Sequence, residues 1–155
     1  MTFSIVAKCT KTGQLGMAVS SSSPAVAARC AHAKAGVGVV ASQNITDPRL
    51  GPKTLLAMTE GHSAPEAVKM IINAAENADF RQVLAVDATG NTAIYSGSKS
   101  LNIHADFASQ NAAAAGNLLA NPNIPEAMVT AFHRGTGHLG DRLIDAMRVA
   151  LALGG

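Results

Sequence analysis

The chain contains no tryptophan, and aromatic residues make up only 3% of its 155 residues. Its core is therefore expected to be built from Ala, Val, Ile, Leu and Met, small side chains that let elements approach closely but bury little area each. The same scarcity removes the stacking platforms on which single-stranded nucleic acids are held. Charge is scarce too: Asp, Glu, Lys and Arg together make up 14%, and the net charge is +2 with histidine neutral. Lys8, Lys11, Lys34, Lys53, Lys69 and Lys99 are scattered along the chain, so no basic face forms and nucleic acid is not an expected partner. A surface so poor in charge is expected to be neutral or covered by another copy, which predicts a homo-oligomer. No apolar run of about 18 residues is present, so a membrane helix is not expected. No basic stretch leads into an apolar segment at the start, so a secretory leader is not expected either. Cys9 and Cys30 stand alone without metal-ligand spacing. Reduced thiols in a cytoplasmic protein are the simpler reading, with a disulfide between them left open. The five histidines, His32, His62, His104, His133 and His138, form no short ligand motif. Neither a metal nor another cofactor is expected.

The chain does have a threonine in second place, directly behind Met1 and at the head of the β-prone run Thr2-Phe3-Ser4-Ile5-Val6-Ala7. Loss of Met1 would leave Thr2 with a free α-amine beside its own hydroxyl. An α-amine has a pKa near about 8, so its neutral form is available at physiological pH. It can accept the hydroxyl proton, directly or through a water, and so activate a weak nucleophile. The structural alternative is that Thr2 is simply a β-branched residue opening a strand.

Patterning along the chain predicts a single domain over residues 1–155. A hairpin is expected from Thr2–Lys8 and Leu15–Ser21 around a turn at Thr10–Gln14 in which Gly13 takes positive φ. Ser23, followed by Pro24, is expected to cap a helix running from Ala25 through Cys30 and stopping before Gly36. Residues 37–43 read as a buried strand and residues 44–51 as a loop. Pro52 is expected to start a short helix ending at Gly61. Ser63-Ala64-Pro65-Glu66 has the form of a capping box, and Ala64, Ala67, Val68, Ile71, Ile72 and Ala75 follow as a helical stripe. Arg81–Asp87 and Thr92–Ser96 read as a hairpin about the turn Asp87–Asn91. Residues 99–117 carry no clear pattern beyond a strand at Ala112–Ala115 before Gly116. A second capping arrangement at Asn123–Glu126 is expected to open a helix closed by Gly135, and Leu139, Leu143, Ala146, Met147, Ala150 and Leu151 share one face of a last helix. Strand runs alternating with helix pairs predict a layered α+β domain. No glycine-rich phosphate loop follows the first strand, so a nucleotide fold is not expected.

The opening strand headed by Thr2, with its tight hairpin and a return strand ending in small hydroxyl residues, resembles the start of the N-terminal nucleophile (Ntn) hydrolases. Within that group the chain resembles the DUF1028 family. The residues that carry the likeness are Met1–Ala7, Thr12–Val19, Ala35–Gln43, Leu50-Gly51-Pro52, Arg81-Gln82-Val83 with Val86-Asp87, and Gly116–Leu119 with Pro125–Met128. They fall in the family's order over nearly the whole chain. The resemblance implies a four-layer α-β-β-α sandwich and an amide-bond hydrolase. Relatives continue past this chain's Gly155 with a glycine-rich segment and a strand, so a sheet lacking a C-terminal strand is expected. They also often carry a lysine where this chain has Ser20–Ser23.

For Thr2 the fitting reaction is cleavage of a small amide by acyl transfer. The tetrahedral oxyanion needs neutral donors, each worth roughly 3–4 kcal/mol when well placed. Gln43, at the end of a buried strand, and Asn117, beside Gly116, are the candidates for catalytic donors. Their structural alternatives are a strand-end amide holding a loop and a turn or helix cap. Ser20 and Ser22 are candidates for binding the α-amine or the substrate, Arg81 for pairing with a substrate carboxylate, and His104 for acid–base work near neutrality. The competing function is a non-catalytic domain that binds a small ligand or forms oligomers through an open sheet edge.

Overall fold

Thr2–Lys8 forms the first strand, β1, and its alternation decides what lies on each side of it. Phe3, Ile5 and Ala7 face one way and enter a cluster with helical residues. Val6 faces the other way, into a cluster drawn from both sheets. This side-to-side sorting is the period of two that any strand imposes. The computed structural model describes residues 1–155. After β1 come β2 (Leu15–Ser21), α1 (Ala27–Cys30), β3 (Ala31–Lys34), β4 (Gly38–Asn44), α2 (Leu50–Thr59), α3 (Ala64–Asn73), β5 (Arg81–Asp87), β6 (Thr92–Ser96), β7 (Ala105–Ser109), β8 (Ala112–Asn117), α4 (Ile124–Arg134) and α5 (Leu139–Ala152).

The fold is α+β. One antiparallel sheet has the order β2-β1-β8-β7 and the other β3-β4-β5-β6. Three apolar clusters hold these elements together. Phe3, Ile5, Ala112 and Ala114 of the first sheet meet Met128, Phe132, Leu143 and Ala146 of α4 and α5. Val40, Val83 and Ala85 of the second sheet meet Leu55, Met58, Val68 and Ile72 of α2 and α3. Between the sheets, Val6, Ala113 and Ala115 meet Val39, Ala41, Leu84 and Val86. The alanines of β8 let the sheets and helices come close on both of its faces, the consequence of a core without large rings. No helix is long and apolar enough to cross a membrane.

Local signals were reliable where they were strong. Gly13 takes φ +73° in the first turn. The Ser63 capping box is complete, with Ser63 Oγ accepting from the Glu66 N–H and Glu66 accepting from the Ser63 N–H. Four expectations need correction. The helix expected over residues 25–35 shrinks to Ala27–Cys30, because Ala25 sits at φ +52° and cannot be helical. Ser23 makes no cap, and Ala31–Lys34 is drawn out as an edge strand paired with β4. Helix α2 begins at Leu50, two residues before Pro52. Asn123 does not cap α4 with its side chain; instead its N–H bonds the side chain of Asn121. Strand β7, unpatterned in sequence, forms against β8. Cys9 and Cys30 are both free thiols.

Candidate active site

Register places the head of β1 between two partners. Thr2 lies opposite Ser21 of β2 and Asn117 of β8. Its side chain shares the inter-sheet face with Ser4 and Val6, and its Oγ1 lies 2.8 Å from Ser21 Oγ. Thr2 is half-buried.

Below Thr2 the inter-sheet layer is polar. Ser4 Oγ donates to Gln43 Oε1 at 2.7 Å, and Gln43 Nε2 donates to Gln82 Oε1 at 2.7 Å and to the Ala115 carbonyl at 3.2 Å. Asn117 Nδ2 donates to the same Gln82 Oε1 at 3.2 Å. Gln82 Nε2 in turn donates to Ser96 Oγ at 3.0 Å and to the Gly116 carbonyl at 3.3 Å. Ser96 Oγ closes the chain on Asp106. Ser4, Gln43, Gln82 and Asn117 are all buried. Each makes at least one hydrogen bond, which offsets the cost of burying a polar group.

This wiring separates the two expected donors. An amide nitrogen carries two hydrogens, and both of those on Gln43 are engaged inside the network. Gln43 is therefore a brace between the sheets, with no donor left for a ligand. Asn117 uses one N–H on Gln82 and keeps the other. It sits directly across the ladder from Thr2.

Of the remaining candidates, only Ser22 contacts the head of β1 with its side chain, through Met1. Ser20 lies opposite Phe3, on the face turned away from the Thr2 side chain, and is exposed. Ser22 is beside the site: its Oγ accepts from the Met1 amine at 2.9 Å. Arg81 braces a loop through the carbonyls of Ile45 and Glu76, and its Nε is buried without a partner. His104 bonds the nearby Asn102 carbonyl at 3.1 Å. Asp87 does more than form a turn. Burial alone would raise its pKa, but bonds from the Ala64 N–H, Thr89 and Asn91 hold its carboxyl below the usual value. No group of three or more His, Cys, Asp or Glu side chains is placed to hold a metal ion.

Three loops leave this end of the sheets and are tied together there. Leu118, at φ +55°, turns the chain sharply out of β8. Its N–H bonds the Leu101 carbonyl at 3.1 Å, and the Leu101 N–H bonds Asn44 Oδ1 at 3.2 Å. A concavity of about 560 Å³ lies at the opposite end of β1, where Leu15 pairs with Lys8, and its lining includes Gln14, Lys34 and His138.

Two residues that bond within the candidate site are not picked out by the sequence reading, Ser21 and Gln82. Ser21 holds the Thr2 hydroxyl, although only its neighbours Ser20 and Ser22 were singled out. The signal was available: the hairpin turn sets the register, and the register selects Ser21. Gln82 organises the polar network, but a glutamine in an apolar strand gives no local sign of a partner in another sheet.

A family model described as "Family of unknown function (DUF1028)" matches residues 2–155. The chain belongs to the DUF1028 family. The crystal structure of protein SPO2555 from Silicibacter pomeroyi, itself assigned to DUF1028, matches with a TM-score of 0.92 at 29% identity. The match covers 97% of this chain and 70% of that one. No curated protein matches the chain.

Proposed function

We propose that this DUF1028 protein is an N-terminal nucleophile amidohydrolase that cleaves a small amide through Thr2 once Met1 has been removed. The stacking of α4 and α5 on one sheet, that sheet on the other, and the second sheet on α2 and α3 suits the four-layer sandwich of Ntn hydrolases. One observation carries the reading. Thr2 heads β1 with its hydroxyl at the open edge of the polar inter-sheet layer, 2.8 Å from Ser21 Oγ and across the ladder from Asn117. In the free-amine form, the α-amine takes the Thr2 hydroxyl proton as Oγ1 attacks the amide carbon. The amide C–N bond breaks, and the amine leaves with that proton. Water then displaces Thr2 Oγ1 and yields the carboxylic acid. Gln43 and Gln82 act by holding the end of β8, and so Asn117, in place.

The test is intact mass combined with covalent labelling. A protein lacking Met1 that forms an adduct with a β-lactone at Thr2, and loses the adduct in Thr2→Ala, supports the reading. Active preparations that retain Met1 sink it. The second reading, a non-catalytic ligand-binding domain, draws support from the concavity lying at the far end of β1. Binding there that is indifferent to Thr2→Ala would favour it.

A further inference from the structure

Met1 is itself an acyl group seated on Thr2, and its contacts show what such a group meets there. Its carbonyl oxygen accepts from the Ser22 N–H at 3.0 Å, from Ser21 Oγ at 3.2 Å and from Ser22 Oγ at 3.3 Å. Its amine donates to Ser22 Oγ at 2.9 Å. Its side chain packs against the cluster that contains Phe3 and Met128.

Loss of Met1 removes the acceptor from these three donors at once. The Ser22 N–H then projects from the strand end without its ladder partner, beside the reacting residue, and an unmet donor favours whatever oxygen can reach it. An acyl carbon on a threonine nitrogen lies across a five-membered ring from the hydroxyl oxygen of the same residue. The seat of the Met1 carbonyl is therefore adjacent to the seat of an acyl group carried on Thr2 Oγ1.

Resting on the hydrolase reading above, we propose that the Ser22 N–H and the hydroxyls of Ser21 and Ser22 receive the substrate's carbonyl oxygen, and that the substrate is an aminoacyl amide. The amine-accepting contact of Ser22 Oγ selects an amine on the carbon next to the carbonyl. This assignment moves the oxyanion site from the braced amide of Gln43 to the end of β2. Ser21 also accepts from the Ser23 N–H at 3.1 Å, which fixes its oxygen and leaves its hydrogen free to point at the carbonyl or at Thr2.

The experiment uses protein shown by intact mass to lack Met1, with methionine 4-nitroanilide and N-acetylmethionine 4-nitroanilide as probes. The expected result is Thr2-dependent release of 4-nitroaniline from the free-amine probe, at least about tenfold faster than from the acetylated one. Ser22→Ala is expected to erase that preference, and Ser21→Ala to lower kcat about 10²-fold, the scale of one lost oxyanion donor. The inference is overturned by no Thr2-dependent turnover of methionine 4-nitroanilide, or by turnover that ignores both serine substitutions. In either case β-lactone labelling of Thr2 still reports on the parent reading: an adduct in wild type and none in Thr2→Ala leaves that reading standing, and an adduct in neither sinks both.

Discussion

Along the same strands, the space between the sheets changes character at one line. Inward positions on β1 run Val6, Ser4, Thr2; on β8 they run Ala113, Ala115, Asn117. On β4 they run Val39, Ala41, Gln43, and on β5 Val86, Leu84, Gln82. Each strand gives up apolar side chains at the same end. In the apolar half, contacts are non-directional and volume alone matters. In the polar half, each group has a named partner, and Gln82 is shared by three side chains of other strands, those of Gln43, Ser96 and Asn117. The apolar half holds the sheets together. The polar half holds them in one register, because hydrogen bonds specify direction and dispersion does not. Thr2 stands where this ordered region meets solvent.

The largest effect expected from testing this contrast is on activity. Thr2→Ala should abolish the proposed hydrolysis by several orders of magnitude, as removal of a nucleophile does. Its urea midpoint should stay within experimental error of wild type, because Thr2 is only half-buried. A parallel loss of stability would show that Thr2 belongs to the structural half.

Gln82→Leu comes next. It leaves the Gln43 and Asn117 amides without their common acceptor, and about 2–5 kcal/mol of stability should be lost in urea unfolding. In the apolar half, Leu84→Ala should lose about 2–4 kcal/mol through a cavity alone. The two differ in kind: Gln82→Leu should also lower kcat, whereas Leu84→Ala should leave it close to wild type. Equal effects on kcat would erase the distinction.

Cys30 sharpens the contrast through pH. It lies in the apolar half, and burial pushes its thiol up to about 11 from the usual 9.0. The folded state thus holds its proton where the unfolded state has lost it. The contribution is fully present below pH 9 and should be lost between pH 9 and 11, by up to about 3 kcal/mol. Cys30→Ala should flatten that alkaline limb, measured as the urea midpoint against pH. Ser4, Gln43, Gln82 and Asn117 carry no ionisable group and should add no slope between pH 5 and 9.

The smallest effect concerns Ser4→Ala, which removes the bond to Gln43 Oε1. A loss of about 1 kcal/mol is expected, the net worth of one such bond plus its unmet acceptor. A loss near zero would mean that Gln43 finds another donor and that the network is less ordered than its geometry.

Elements carried by local chemistry were legible in the sequence. The turn at Gly13, the capping box at Ser63 and the hairpin about Asp87–Asn91 each draw on residues within a few positions of one another. Strands β3 and β7 were not legible. They are short edge strands whose residues show no clean alternation, and they are extended because β4 and β8 offer them backbone partners. Of the expected site residues, Thr2, Ser22 and Asn117 gather at one end, Gln43 lies beneath them as a brace, and the side chains of Ser20, Arg81 and His104 make no hydrogen bond to Thr2, Ser21 or Asn117. Strand alternation explains Ser20, since it is one residue off the register that faces Thr2.

What the amino-acid sequence determined by itself was the local menu. It set which residues turn, which alternate, how small the core side chains are, and that a threonine sits at the head of the first strand. Tertiary structure decided which groups meet. Gln43, Gln82 and Asn117 are 39 and 35 residues apart along the chain, yet they share one oxygen. That meeting depends on the separation and register of two sheets, which no window of sequence contains. Hydrogen bonds are satisfied only at distances of about 3 Å, so the partner of a buried amide is settled by packing and not by its neighbours in the chain.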